Sequence, residues 1–172
     1  MSKNTITQES VRFFSQKNIP KPKHDFEILC VDFASAENIG QVIRLSSNME
    51  IPAVYYTGTR QYKKSKIHRC ASSAYHHVEV QNVDFESFIL ENKKPIIAIE
   101  TAKTASNLFT TEIPSSAIIM LGNERFGLSD SAIAKADHCV YIPVPGITSS
   151  LNVSHSLGIF LWEWYRKNCF SS

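Results

Sequence analysis

No stretch of the 172-residue chain approaches the ~18 consecutive apolar residues that a membrane-spanning helix requires. The opening residues, MSKNTITQES, hold no apolar stretch of the kind that marks a secretory signal, so a cytoplasmic location without membrane attachment is expected. Cysteine is scarce. Cys30, Cys70, Cys139 and Cys169 stand far apart, with no C-x-x-C and no Cys/His cluster at zinc spacing. Four reduced thiols are therefore expected, with Cys30 and Cys139 inside strands, and no metal site. Only six glycines occur, and no G-x-G-x-x-G follows the first apolar run, which argues against a nicotinamide or flavin Rossmann enzyme. There is no internal repeat and no low-complexity tract. A net charge of only +2 excludes a general cloak of positive charge.

What is present is an ordinary folding composition. With 43% hydrophobic and 20% charged residues, wholesale disorder is excluded, and the length suits one domain. The charge becomes informative when divided. Residues 1–24 carry a net +4, residues 60–69 (RQYKKSKIHR) a net +5, and the rest of the chain −7. Two concentrated basic segments suit a polyanion, although charge alone is better explained by two solvated faces.

Residues 5–17 have apolar positions spaced for one helical face, and Pro20-Lys21-Pro22-Lys23 then breaks the pattern. Residues 1–25 read as a basic N-terminal appendage, and 26–172 as the main domain. Within it, apolar runs predict strands at 28–33, 53–56, 77–80, 96–99, 117–121 and 139–142. Helices are expected at 38–48, 63–71, 85–92, 105–109, 129–136 and 152–167. In the last, Val153, Leu157, Phe160, Leu161 and Trp164 share an apolar face. Alternation of strand and helix predicts an α/β fold with a mainly parallel sheet.

In such sheets, ligands bind at the loops that follow the carboxyl ends of strands. Three of these loops are unusually polar. The first is ENIGQVIR, in which Asn38 reads as a helix N-cap and Arg44 lies one turn beyond Gly40, which leaves room for an arginine to meet a phosphate. The second is LGNERFGLSD, a glycine-punctuated turn that presents Asn123 and Glu124. The third, IPVPGITSSLNVSHS, stiffens the exit from a strand with Pro143 and Pro145. It then crowds Ser149, Ser150 and Asn152 at a helix entrance, where free N–H groups favour a polar ligand. His155, further into that helix, reads as a core or surface residue.

Asn38, Gly40 and Arg44, then Leu121-Gly122-Asn123-Glu124-Arg125-Phe126-Gly127-Leu128-Ser129, then Ile142-Pro143 through Ser150-Leu151-Asn152-Val153-Ser154, resemble in order and spacing the three motifs of the SpoU/TrmH-type RNA ribose 2′-O-methyltransferases of the SPOUT superfamily. The resemblance covers residues 27–168. His155 and Ser156 depart from it, standing where small apolar residues are more usual. The resemblance implies a Rossmann-like SPOUT fold whose C-terminal segment makes a deep trefoil knot, and a homodimer, with Trp162 and Trp164 on a candidate interface helix. It implies S-adenosylmethionine held by Glu100, Thr101, Leu121, Gly122, Asn123, Ile142, Ser150 and Leu151. Its reaction is methyl transfer to a ribose 2′-hydroxyl of RNA, tRNA foremost and rRNA as the alternative.

Catalytic roles then fall to Arg44, Asn38, Glu124, Ser150 and Asn152. A guanidinium has a pKa above about 12 and seldom yields its proton, so Arg44 is read as fixing and polarising the acceptor nucleotide rather than as a base. RNA phosphates would meet Arg60, Lys63, Lys64, Lys66 and Arg69, with Tyr62 offered to a base. Two rivals stand beside this reading: a SPOUT base methyltransferase, and a non-catalytic RNA-binding module.

Overall fold

Ile96, Ile97, Ala98 and Ile99 are all buried, as a strand covered on both faces must be. The computed structural model describes residues 15–170 together with Phe13. It contains seven strands: β1 (Asp25–Cys30), β2 (Ala53–Tyr56), β3 (Glu79–Asn82), β4 (Ile96–Ile99), β5 (Ser106–Asn107), β6 (Ser116–Leu121) and β7 (His138–Tyr141). The α-helices that follow β1 are α1 (Ala36–Asn48), α2 (Lys64–Ala71), α3 (Phe85–Glu91), α4 (Asp130–Ile133) and α5 (Val153–Cys169). All strand pairs are parallel, in the order β3-β2-β1-β6-β4-β7-β5.

Alternate residues of each central strand feed two separate cores. Phe26, Ile28 and Cys30 of β1 join Ile119 and Leu121 of β6 under α1, α2 and α5. Leu29 of β1, with Ile118 and Met120 of β6, faces Phe88 of α3 and Ala132 of α4 on the other side. The result is a three-layer α/β/α sandwich. No helix among the described residues is long and apolar enough to cross a membrane.

Most expected elements are present with shifted ends, but several readings are corrected. The first strand stops at Cys30 because Asp32 adopts a left-handed φ of 49°, and Phe33 turns into the core. The third strand starts two residues late, after a 3-10 helix at Ser72–His76. No helix forms at 105–109. Ser106 and Asn107 pair with Val140 and Tyr141 as edge strand β5, and the Asn107 side chain accepts the Phe109 N–H at 2.9 Å, a local bond that competes with a helical turn.

Cys30 is buried in β1, and burial pushes its thiol pKa up. Cys139 is only half-buried, and all four thiols are free. The helix expected across 5–17 lies mostly outside the described residues. Just before β1, the Tyr165 hydroxyl donates to the Pro20 carbonyl at 2.5 Å, and His24 stacks on Phe26 with an edge toward Trp164.

Candidate active site

The carboxyl ends of β4, β6 and β7 open into one cavity of about 320 Å³. Its walls come from Ile99–Thr101, Leu121–Gly127 and the loop from Tyr141 to Leu151, so Glu100, Thr101, Leu121, Gly122, Asn123, Ile142, Ser150 and Leu151 all line it. The apolar lining includes Leu121, Ile142, Val144 and Leu151. Two glycines permit the tight turn behind the wall. A Cβ on Gly122 would collide with the Gly127 carbonyl carbon and the Leu128 nitrogen, and Gly127 has a φ of 67°.

Several of these side chains are spent on the loops themselves. The Glu100 carboxylate accepts from the Leu128 N–H at 2.8 Å and from the Thr101 N–H at 2.9 Å, pinning two loops together. The Asn123 amide donates to the Asp32 carbonyl at 2.6 Å, and its oxygen accepts from the Arg125 N–H at 2.9 Å.

Glu124 performs the same service for the first motif. Its carboxylate accepts from the Ala34 N–H at 2.6 Å, the Ser35 N–H at 3.0 Å and the Asn38 side-chain amide at 2.8 Å. Asn38 in turn accepts from the Asn152 amide at 3.2 Å, and Asn152 caps α5 by accepting the Ser154 N–H at 2.9 Å. One hydrogen-bonded chain thus joins all three motif loops. Asn38 is not the cap of α1 as its residue type suggests. Ser35 fills that position, its hydroxyl accepting from the Glu37 and Asn38 N–H groups at 3.2 and 3.3 Å.

The other two expected catalytic residues stand apart from this chain. Ser150 lies in the exposed loop on the cavity wall. Arg44 is exposed on a separate groove of about 940 Å³ between α1, the end of α2 and the start of α5, which Arg69, Cys70, Ser154, His155 and Trp162 also line. Leu151 lines both spaces. Gly40 leaves no open side for Arg44 to reach past, because α2 packs there. A Cβ at Gly40 would come within 2.6 Å of the Cys70 Cβ and 2.7 Å of the Ile67 carbonyl.

The basic segment is partly neutralised. Lys66 pairs with Glu37 at 3.0 Å and Arg69 approaches the same carboxylate at 3.9 Å, while Arg60, Lys63 and Lys64 are exposed with no ion pair among the described residues. The Lys66 ammonium holds the Glu37 carboxyl below its ordinary range. Tyr62 is not free to stack on a base. Its hydroxyl donates to the Phe33 carbonyl at 2.5 Å, its ring meets Tyr56 edge-on at 5.6 Å, and burial pushes the phenol up to about 12.

Sequence reasoning missed that His155 faces the groove and that Phe126 stands 81% exposed at the cavity rim. No local signal marks the groove, since its other walls come from α1 and α2.

A ligand cavity at the carboxyl edge of an all-parallel sheet, with a cation-lined groove sharing one of its walls, defines an α/β protein suited to hold a small ligand beside a polyanion. The model of the SpoU rRNA Methylase family matches residues 25–162, and the chain belongs to that family. Over 93 residues, 52% of this chain and 6% of the relative, it is 33% identical to the mouse (Mus musculus) tRNA (guanosine(18)-2'-O)-methyltransferase TARBP1. To the tRNA (guanosine(18)-2'-O)-methyltransferase of Aquifex aeolicus it is 27% identical over 154 residues, 87% of this chain and 72% of the relative. The SpoU methyltransferase AviRb from Streptomyces viridochromogenes, solved with the cofactor AdoMet, has the same fold: TM-score 0.77, 19% identity, 90% of this chain and 62% of that one. The chain therefore spans less than two thirds of the length of TARBP1 and AviRb.

Proposed function

We propose that the protein is an S-adenosylmethionine-dependent RNA methyltransferase that acts on a ribose 2′-hydroxyl, with tRNA as its substrate. The observation that carries this reading is the hydrogen-bonded chain Glu124–Asn38–Asn152, which locks the three motif loops around one cavity and sets the Arg44 groove beside it. The tRNA assignment is supported by two relatives named as tRNA 2′-O-methyltransferases.

The cavity suits the cofactor in size and in chemistry. Its volume lies at the lower end of ligand pockets, which run from about 300 Å³. Leu121, Ile142 and Leu151 offer an apolar slot for adenine, and the backbone of the Gly122 turn offers polar partners where a side chain has no room. When bound, the cofactor supplies an electrophilic methyl group on a sulfonium. Arg44 fixes and polarises the acceptor nucleotide. Asn38, Glu124 and Asn152 keep the loops in register, and Ser150 completes the cavity mouth. Arg60, Lys63 and Lys64 grip phosphates, with Lys66 and Arg69 sharing their charge with Glu37.

The finer architecture follows the same reading. The loop running from Pro143 into α5 is threaded as a trefoil knot. Residues 1–25 act as a basic appendage to the methyltransferase domain of residues 26–172. Two copies associate in the cytoplasm along the outer face of α5, where Trp162 and Phe170 are exposed. Trp164 belongs to the core of one copy, at 2% exposure.

Labelled methyl transfer from S-adenosylmethionine to total tRNA and, separately, to rRNA, followed by nucleoside mass spectrometry, tests the reading. A 2′-O-methylated nucleoside from the tRNA pool is expected. The same product from rRNA alone would change the substrate, and a base-methylated product would change the reaction. Absence of both transfer and cofactor binding would leave a non-catalytic RNA-binding module.

A further inference from the structure

A cavity of about 320 Å³ has room for a cofactor and little more, so the base of an acceptor nucleotide must rest outside it. To deliver a 2′-hydroxyl there, that nucleotide leaves the stack of its neighbours and loses their contact. An aromatic face at the rim replaces what is lost. Tyr62, the aromatic residue that the sequence offers to a base, is bound to the Phe33 carbonyl and packed on Tyr56. Of the two aromatic residues that line the cavity, Tyr141 is half-buried, whereas Phe126 stands 81% exposed.

We propose that Phe126, backed by Arg125, is a stacking platform for an unpaired base of the RNA at the cavity rim, an assignment that rests on the methyl-transfer reading above. The ring is not exposed because its loop is loose. The Asn123 side-chain oxygen accepts the Arg125 and Phe126 N–H groups at 2.9 and 3.3 Å, and Asn123 and Gly127 pair main chain to main chain. Asn123 is itself anchored, its amide donating to the Asp32 carbonyl at 2.6 Å. A turn pinned in this way holds a large apolar ring in water and forgoes the hydrophobic free energy that burial of the ring would gain.

The chemistry beside the ring points to a base joined to a phosphate. The Arg125 guanidinium lies over Phe126, 5.5 Å from the ring centre, which leaves the opposite face open to a base. That guanidinium is exposed and has no ion pair among the described residues. The carboxylates of the cavity wall do not claim it, since Glu100 and Glu124 are engaged by backbone N–H groups. It is therefore free to meet the phosphate attached to a stacked nucleotide. The turn is also tied to the basic segment. Asn123 holds the Asp32 carbonyl, and the next carbonyl, that of Phe33, holds Tyr62, whose chain neighbours include Arg60 and Lys63. A base-binding surface and a phosphate-binding one thus lie on adjoining loops.

Phe126→Ala and Phe126→Trp test the assignment, with a fluorescein-labelled RNA transcript that the wild-type protein methylates as the probe. Anisotropy should show RNA affinity lowered about fivefold or more in the alanine variant and restored in the tryptophan variant. Cofactor affinity by calorimetry and the urea midpoint should stay as in the wild type. Stacking releases no counterions, so the salt dependence of RNA binding should keep its slope in Phe126→Ala, whereas Arg125→Ala should flatten it by about one. Unchanged RNA affinity in Phe126→Ala would overturn the proposal. So would a loss of cofactor affinity, which would make the ring a cover for the cofactor, or a change of mass by light scattering, which would make it a subunit contact. Those outcomes leave the methyl-transfer reading standing. Methylation of no RNA by the wild-type protein would overturn that reading, and the proposal with it.

Discussion

Replacing Glu124 by alanine removes the acceptor of two backbone N–H groups and of the Asn38 amide at once. Hydrogen bonds to a charged group contribute about 1.5–3 kcal/mol each when buried, and Glu124 is half-buried, so Glu124→Ala should cost about 2 kcal/mol. Urea unfolding should report it as a lower midpoint with an unchanged slope, and Glu124→Gln, which keeps one oxygen, should lose less. A role confined to chemistry would leave the midpoint where it was. Arg44 makes the opposite case. It is exposed, lines only the groove and supports no loop, so Arg44→Ala should abolish turnover while cofactor affinity, measured by calorimetry, stays nearly intact. Loss of cofactor binding in a folded Arg44→Ala protein would mean that the arginine serves the cavity instead.

At the scale of elements, the turn after β6 is the tightest constraint on the cavity. A methyl group at Gly122 must displace the Gly127–Leu128 backbone, which Glu100 and the paired Asn123 and Gly127 main chains hold in place. Gly122→Ala should therefore lower stability by about 1–3 kcal/mol, the usual cost of overpacking, and weaken cofactor binding at least about tenfold by calorimetry. A normal dissociation constant would show that the loop yields easily.

The same turn illustrates what sequence reasoning can reach. The strands at 53–56 and 96–99 were legible to the residue, because uninterrupted apolar runs end at prolines or polar breakers. The three loops were legible by their residue types at strand ends. Strand β5 was not, since Ser106 and Asn107 carry no period of their own and owe their conformation to β7, more than 30 residues away. Nor was the division of labour between Ser35 and Asn38. Both are good caps, and what diverts Asn38 is a carboxylate 86 positions along the chain. Gly40 misled for the same reason, its meaning lying in how closely α2 approaches.

At the scale of the whole molecule, Arg60, Lys63 and Lys64 stand exposed without an ion pair among the described residues, beside Lys66 and Arg69, which share Glu37. RNA affinity should fall log-linearly with salt, and the double change Lys63→Ala with Lys64→Ala should flatten that slope by about two. Fluorescence anisotropy over a salt series reads this directly, and an unaltered slope would remove α2 from the RNA path. Beyond α2, the shared Leu151 wall carries a consequence of its own. A residue that lines both spaces offers a route by which occupancy of one alters the other, and thermodynamics requires any such dependence to be mutual. Whatever factor RNA imposes on the dissociation constant of the cofactor, the cofactor must impose on that of RNA. Measured both ways, the two ratios should agree and lie about fivefold or more from unity. Under the proposed reading, loss of the sulfonium charge on methyl transfer alters that mutual dependence, so release of the products follows the same linkage that governs binding of the reactants.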